Sequence, residues 1–161
     1  MPPREPSSDD AAGALRRLID AIAGPEPLPA GGAAAVAAIA MGLGLGAKVI
    51  RRSSPDPAAS RPISALLEQV LPQFEADGVA FARVLEAQRQ SKDAAVRSQA
   101  WRQATEVSVA VARLAEEAER LLLEGASVVR ASMAADHAAA VDLVRAGREI
   151  ALRNARDNAR H

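Results

Sequence analysis

From Ala33 to Ala47 the chain carries no charge, and every residue in the stretch is Ala, Gly, Val, Ile, Leu or Met. Such a segment belongs either in lipid or in the middle of a protein. Its length is near the lower limit for spanning a bilayer, Ala and Gly gain little from lipid, and no Trp or Tyr flanks it. It is therefore read as a central helix buried on all sides. Gly42 and Gly46, with Gly44 between them, form a small-xxx-small pair that lets another backbone approach closely. The rest of the composition agrees. Roughly a quarter of the residues are alanine and only 2% are aromatic. Alanine is the best helix former and the smallest side chain that still defines a helical surface.

The other elements arrange around that segment. Residues 1–9 read as a flexible tail, with Ser7 to Asp10 offering N-caps for an amphipathic helix through Leu15, Leu18, Ile19 and Ile22 that Gly24 and Pro25 end. A proline-rich loop, 24–32, leads to the central helix, and a Ser/Pro/Asp loop, 53–61, follows it. Ser60 and Pro62 open a third helix with the stripe Ile63, Leu66, Leu67, Val70, Phe74, Phe81 and Leu85, which Pro72 should kink. Ser91 and Asp93 can cap a fourth helix running to Glu124, with Ala104, Val107, Val111, Leu114, Ala118 and Leu121 facing inward and Gly125 just past its end. A fifth helix starts near Ser132, with Asp142, Arg145, Arg148 and Glu149 on its wet side. The expected fold is all-α: one domain, 1–161, forming a multihelical up-and-down bundle of about five helices around an Ala/Gly-rich buried central helix. Small side chains bury limited area, so a homodimer is expected, its interface including Gly42, Gly46 or Met41.

A formal net charge of +0, with acidic and basic residues evenly interleaved, points to no nucleic-acid and no membrane partner. There are no cysteines for disulfide or thiolate chemistry, and the two histidines, His137 and His161, cannot make a histidine-rich metal site. Neither a metal nor a cofactor is expected. The first ten residues lack the apolar core of a signal peptide, so the expected location is cytoplasmic.

A few polar residues fall where the pattern asks for apolar ones. At 100° per residue Asp77 shares a stripe with Ile63, Val70, Phe74 and Phe81. If that face is buried, the anion is disfavoured and the carboxyl becomes an acid or base useful near neutrality. The alternative is a carboxylate at the stripe's edge, past Pro72, that reaches water. Asp136 and Asn154 share a sector with Leu143, Gly147 and Ile150, and Asn158 lies one turn beyond; helix capping and surface solvation would explain them equally well. Gly31 and Gly32 precede the central helix, leaving backbone N–H groups and the positive end of its dipole open to an anion or a carbonyl oxygen, although two glycines after a proline are also a common loop device. His137 reads as a surface residue, and Trp101 as packed between helices or at an interface.

Several of these segments, in this order, resemble one family. Pro29-Ala30-Gly31-Gly32-Ala33 resembles a Pro-Gly-Gly-Gly-Ser run that opens an Ala/Gly-rich helix, and Asp77-Gly78-Val79-Ala80-Phe81 an Asp-x-x-Ala-Phe motif. Ala104-Thr105-Glu106-Val107, Ala135-Asp136-His137-Ala138-Ala139-Ala140 and Asn154-Ala155-Arg156-Asp157-Asn158 are similar to its Ala-Thr-x-x-Pro, Ser-Asp-x-x-Val-Ala-Ala and Asn-Val-x-x-Asn segments. The family is that of the cyclodeaminases and methenyltetrahydrofolate cyclohydrolases, the helical domain type of formiminotransferase-cyclodeaminase.

The resemblance implies an all-helical homodimer that binds a tetrahydrofolate derivative as substrate, with no further cofactor. It implies either closure of formimino-tetrahydrofolate with loss of ammonia or hydrolysis of the methenyl bridge. It places Asp77 at the catalytic acid or base, and Gly31, Gly32, Asp136, Asn154 and Asn158 along the folate groove. Ala30, Ala33, Ala135 and Ser108 stand where the family pattern has Gly, Ser, Ser and Pro, and the chain stops at His161 where longer members continue. These departures motivate the other reading, a catalytically inactive dimeric helical homologue that acts as a binding or scaffolding module.

Overall fold

A computed structural model describes residues 8–56 and 58–161. Among them the chain forms six α-helices and no strand: α1 (Ser8–Ala23), α2 (Gly31–Ser53), α3 (Arg61–Val70), α4 (Gln73–Gln90), α5 (Ala94–Glu124) and α6 (Ala134–Asn158). Two short 3-10 turns, Gly125–Val128 and Ala131–Met133, join α5 to α6. Ser8 and Asp9, expected in the tail, are helical; the rest of that expected tail lies outside the described residues.

The α2–α6 contact is the most extensive in the molecule, followed by α5–α6 and α4–α5. Glycines on both helices make the first of these contacts possible. A Cβ on Gly42 would lie 2.7 Å from the Ala140 carbonyl oxygen and from Val144 Cγ2, and one on Gly147 would lie 2.7 Å from the Ala35 oxygen and 2.5 Å from Ile39 Cγ1. Rising numbers on α2 meet falling numbers on α6, so the two helices are antiparallel. The bridges from Glu119 to Arg145 and Arg148, with Asn158 against Ser108, make α5 antiparallel to α6 as well. Between these helices lies the main core, with Val36, Ile39, Leu43, Ile50, Val70, Leu122 and Val144 fully buried. A smaller cluster, Ala80, Val84, Ala87, Ala100 and Ala104, joins α4 to α5.

Several sequence expectations are corrected by this packing. Pro72 does not merely kink the third helix. Without its N–H, and with its ring against the preceding turn, it ends α3 at Val70, and a new helix begins at Gln73. The central helix α2 is not buried on all sides, because Met41, Gly44 and Lys48 line an open face. It is the one helix among the described residues long and apolar enough to cross a membrane, but 56% of its apolar window lies inside the bundle, as in a core helix. Gly42 and Gly46 face the subunit's own α6 and Leu122 rather than a dimer interface, and a Cβ at Gly44 would touch nothing within 4 Å. Along α5 the buried positions are Ala100, Ala104, Ser108, Val111, Ala112, Ala115, Ala118 and Leu122, while Val107, Leu114 and Leu121 sit at the border. Four neighbouring helices, α2, α3, α4 and α6, pull its inner face wider than one stripe.

The caps divide in the same way. Asp93 accepts a hydrogen bond from the Ala95 N–H at 2.8 Å and so starts α5 as its sequence position suggests, whereas Ser60 occupies the α3 cap position without a side-chain capping bond and is buried. His137 is half-buried, with Nε2 2.9 Å from the Leu122 carbonyl oxygen. Arg145 and Arg148 do not simply face water. Both reach Glu119, whose side chain is only 13% exposed, at 2.6 and 2.7 Å, and so tie α6 to α5.

Candidate functional site at the start of the central helix

Because α6 runs antiparallel to both α2 and α5, its last turns lie beside the first residues of α2 and the middle of α5. A cleft of about 200 Å³ opens at that junction. Leu28, Ala30, Gly31 and Gly32 form its floor, α4 contributes Asp77 and Phe81, α5 contributes Ser108, and α6 contributes Asn154, Asp157 and Asn158. Five residues named from the sequence, Gly31, Gly32, Asp77, Asn154 and Asn158, meet here.

Asp77 stands directly over Gly32. A Cβ built on that glycine would fall on the carboxylate itself, so only glycine leaves room for Asp77 in this position. The carboxylate therefore lies at the positive end of the α2 dipole, where Ala30 at the cap position makes no side-chain capping bond. Two opposing effects act on it. The helix start favours the anion, while burial among Leu28, Phe81 and the α2 backbone disfavours it. Burial lifts the Asp77 pKa above its ordinary value of 3.8. Among the described residues no side chain hydrogen-bonds Asp77, so its oxygens are free for a ligand.

The polar wall of the cleft is ordered unevenly. Asn158 Nδ2 donates a long hydrogen bond, 3.5 Å, to Ser108 Oγ, which itself donates to the Ala104 carbonyl at 3.1 Å. Asn154 lies with its amide 3.5 Å from where a Gly31 Cβ would sit and makes no hydrogen bond among the described residues. The ring of Trp101 packs edge to face with Phe81 at 5.9 Å, and His161 stacks on Trp101 at 4.4 Å. Trp101 is thus packed between helices, as expected from the sequence.

Asp77 also borders a second space. An apolar groove of about 500 Å³, lined by Leu28, Pro29, Ala33, Phe74, Gly78 and Val79, shares Leu28 and Asp77 with the polar cleft. Through Phe74 and Glu75 it continues into a further groove of about 510 Å³ bounded by Leu18, Ala37, Ala40, Met41 and Leu71. A cleft of about 390 Å³ between α4 and α5, lined by Arg83, Gln90, Gln99 and Gln103, contains none of the candidate site residues named from the sequence.

Asp136 does not join the site. It is exposed in the first turn of α6, 18 residues from Asn154, which puts it roughly 27 Å away along the axis. Sharing an angular sector sets the face of a helix, not the height along it. Two polar lining residues, Ser108 and Asp157, were missed as site positions. Ser108 had a signal, a hydroxyl where the inward pattern of α5 leaves little room for one, but Asp157 had none. Among the described residues, no three His, Asp or Glu side chains are grouped so as to hold a metal ion.

Comparison with known proteins places the chain. No curated protein matches it in sequence. Among solved structures it is similar to formiminotetrahydrofolate cyclodeaminase from Thermotoga maritima, with a TM-score of 0.81 over 91% of this chain and 78% of that one, at 22% identity. At that identity the likeness speaks for the fold. A family model, formiminotransferase-cyclodeaminase, matches residues 14–161, nearly all of the sequence and all of the helices that build the cleft. The chain belongs to the formiminotransferase-cyclodeaminase family.

Proposed function

We propose that the protein acts on the one-carbon unit of a reduced folate, as a methenyltetrahydrofolate cyclohydrolase or a formiminotetrahydrofolate cyclodeaminase, with Asp77 as general acid and base. The observation that carries this reading is the position of Asp77. A partly desolvated carboxylate without a hydrogen-bond partner stands between a small polar cleft and a larger apolar groove. A reduced folate divides the same way, into a polar pterin and an aryl arm joined at the nitrogens that carry the one-carbon unit. With the pterin among Gly31, Gly32, Asn154 and Asn158 and the arm along Leu28, Phe74 and Val79, the reactive carbon lies at Asp77.

In hydrolysis, the Asp77 carboxylate takes a proton from the water that attacks the methenyl carbon. The resulting carboxylic acid then gives that proton to the ring nitrogen whose bond to the carbon breaks, and the new hydroxyl on that carbon loses its proton to water as the C=O forms, leaving a formyl group on the other nitrogen. In cyclodeamination, the second folate nitrogen attacks the formimino carbon, Asp77 receives its proton, and ammonia leaves once the departing nitrogen is protonated. Both routes need one group that gains and loses a proton near neutrality, which the raised pKa favours.

The test is titration with reduced folates followed by thermal shift, with turnover measured for Asp77→Asn. Binding to the native state must raise Tm. The variant should bind but lose about 10²–10⁴ in kcat, because the near-isosteric amide cannot carry the proton. If wild type binds no reduced folate, the scaffold reading replaces this one. If it binds and Asp77→Asn turns over normally, the catalytic assignment fails.

We also propose that the working form is a homodimer. Leu15, Ile19, Met41, Leu71 and Val79 are each about half exposed, and two confluent apolar grooves run beside them. A second copy seated on this face would cover these exposed apolar side chains and would wall the open side of the groove next to Asp77.

A further inference from the structure

We propose that Asp157 holds the positive charge of the bound one-carbon unit, and that Arg160 is the rival cation the ligand must displace. The inference rests on the folate reading above and adds to it a residue and a charge preference. Two acidic side chains, Asp77 and Asp157, line the cleft, and no Lys, Arg or His does. In so small a space both face the same bound group.

Their surroundings suit them to different work. Asp77 is half-buried over Gly32 and has no partner, as a group that exchanges protons should be. Asp157 is exposed and already holds a cation: its Oδ1 lies 3.0 Å from Arg160 Nη1, three residues on in the turn just past the end of α6. Its other oxygen takes no hydrogen bond among the described residues. A solvent-facing carboxylate that already pairs with a cation and has one free oxygen is placed to act as a counter-ion.

A methenyl or formimino unit spreads one positive charge over two nitrogens, as an amidinium does, whereas a formyl or methyl unit on the same nitrogens is uncharged. A carboxylate facing the unit therefore discriminates between the two classes by charge. Arg160 opposes this by pairing with Asp157. The pair is exposed at both ends, 75% for Arg160 and 59% for Asp157, so solvent screens it and exchanging Arg160 for a ligand cation costs little.

The experiment compares wild type, Asp157→Asn and Arg160→Gln. It uses methenyltetrahydrofolate as the cationic probe, followed by turnover, and 5-formyltetrahydrofolate as the uncharged probe, followed by binding alone. Asp157→Asn should raise KM for the cationic probe roughly 10- to 100-fold, the worth of one charge-assisted contact, with kcat within about threefold and the Kd of the uncharged probe unchanged. Arg160→Gln should do the reverse, lowering KM about two- to fivefold, the worth of an exposed pair, and reducing its dependence on salt. If Asp157→Asn weakens both probes equally, the residue only shapes the cleft and the proposal is overturned. An unchanged KM in that variant overturns it too, while the folate reading stands. Wild type that binds neither probe overturns both.

Discussion

Gly31 and Gly32 offer a contrast in which the same chemical change at adjacent residues should have opposite consequences. A Cβ on Gly31 would meet the Asn154 amide at 3.5 Å, an ordinary contact. A Cβ on Gly32 would fall on the Asp77 carboxylate, with all three carboxyl atoms closer than any real methyl approaches. The carboxylate is the end of a side chain and not backbone, so in Gly32→Ala it rotates away rather than being compressed, at a cost of about 0.5–1.5 kcal/mol for leaving its rotamer. Ala in place of Gly in a helix returns about 0.5–1 kcal/mol. The two nearly cancel, and Gly32→Ala should unfold within about 1 kcal/mol of wild type. Activity should not be spared, because the displaced carboxylate no longer reaches the reacting carbon, and kcat should drop about 10²–10⁴ as for loss of the group itself. Gly31→Ala should keep kcat within a fewfold. The assay is methenyl hydrolysis alongside urea unfolding of both variants, with a carbon-detected NMR titration of the Asp77 carboxyl. Rotated toward water in Gly32→Ala, that carboxyl should titrate closer to 3.8. The reasoning is refuted if Gly32→Ala turns over like wild type with the raised Asp77 pKa intact, or if Gly31→Ala is equally damaging.

Other predictions follow from the same geometry. Gly147→Ala should destabilise by about 1–3 kcal/mol in urea, since its methyl meets the Ala35 carbonyl and Ile39, whereas Gly44→Ala, with open space around it, should stabilise by about 0.5–1 kcal/mol; the opposite order would contradict the α2–α6 seam. Because burial raises the Asp77 pKa in the folded state, the stability it contributes is complete below the unfolded value near 3.8 and is lost as pH rises through the folded value. Asp77→Asn should remove that fall from the stability–pH curve, and a carboxyl titrating at or below 3.8 would contradict it. Sedimentation at micromolar concentration should find wild type dimeric and Met41→Glu monomeric, while a monomeric wild type would end the shared-interface proposal.

Much of the fold was legible in the chain because its signals are local. Asp93 caps α5 by a bond within its own first turn, Pro72 interrupts the backbone ladder wherever it is placed, and an uncharged Ala/Gly segment has few places to go but the core. What the sequence misjudged were relations between elements. Gly42 and Gly46 were read as small residues awaiting a neighbour, and that neighbour proved to be the subunit's own α6 and Leu122 rather than a second copy. The inner face of α5 was read as one stripe, but four partners widened it past Val107 and Leu114 to Ser108, Ala112 and Ala115.

The site divides along the same line. Composition and periodicity by themselves determined an all-helical chain with a small-residue central helix, and marked Asp77 as a polar residue on an apolar stripe, while Asn154, Asn158 and the Gly31-Gly32 start could equally be read as solvated or loop positions. Periodicity repeats every turn and carries no height along the axis, so it ranked Asp136 with Asn154 although about 27 Å of helix separates them. Only the antiparallel setting of α6 against α2 and α5 decided which end of that face meets the start of the central helix. The same register brought Asp77 over Gly32, joined Asn158 to Ser108, and turned Asp157, which no pattern in the chain distinguishes, into a wall of the cleft.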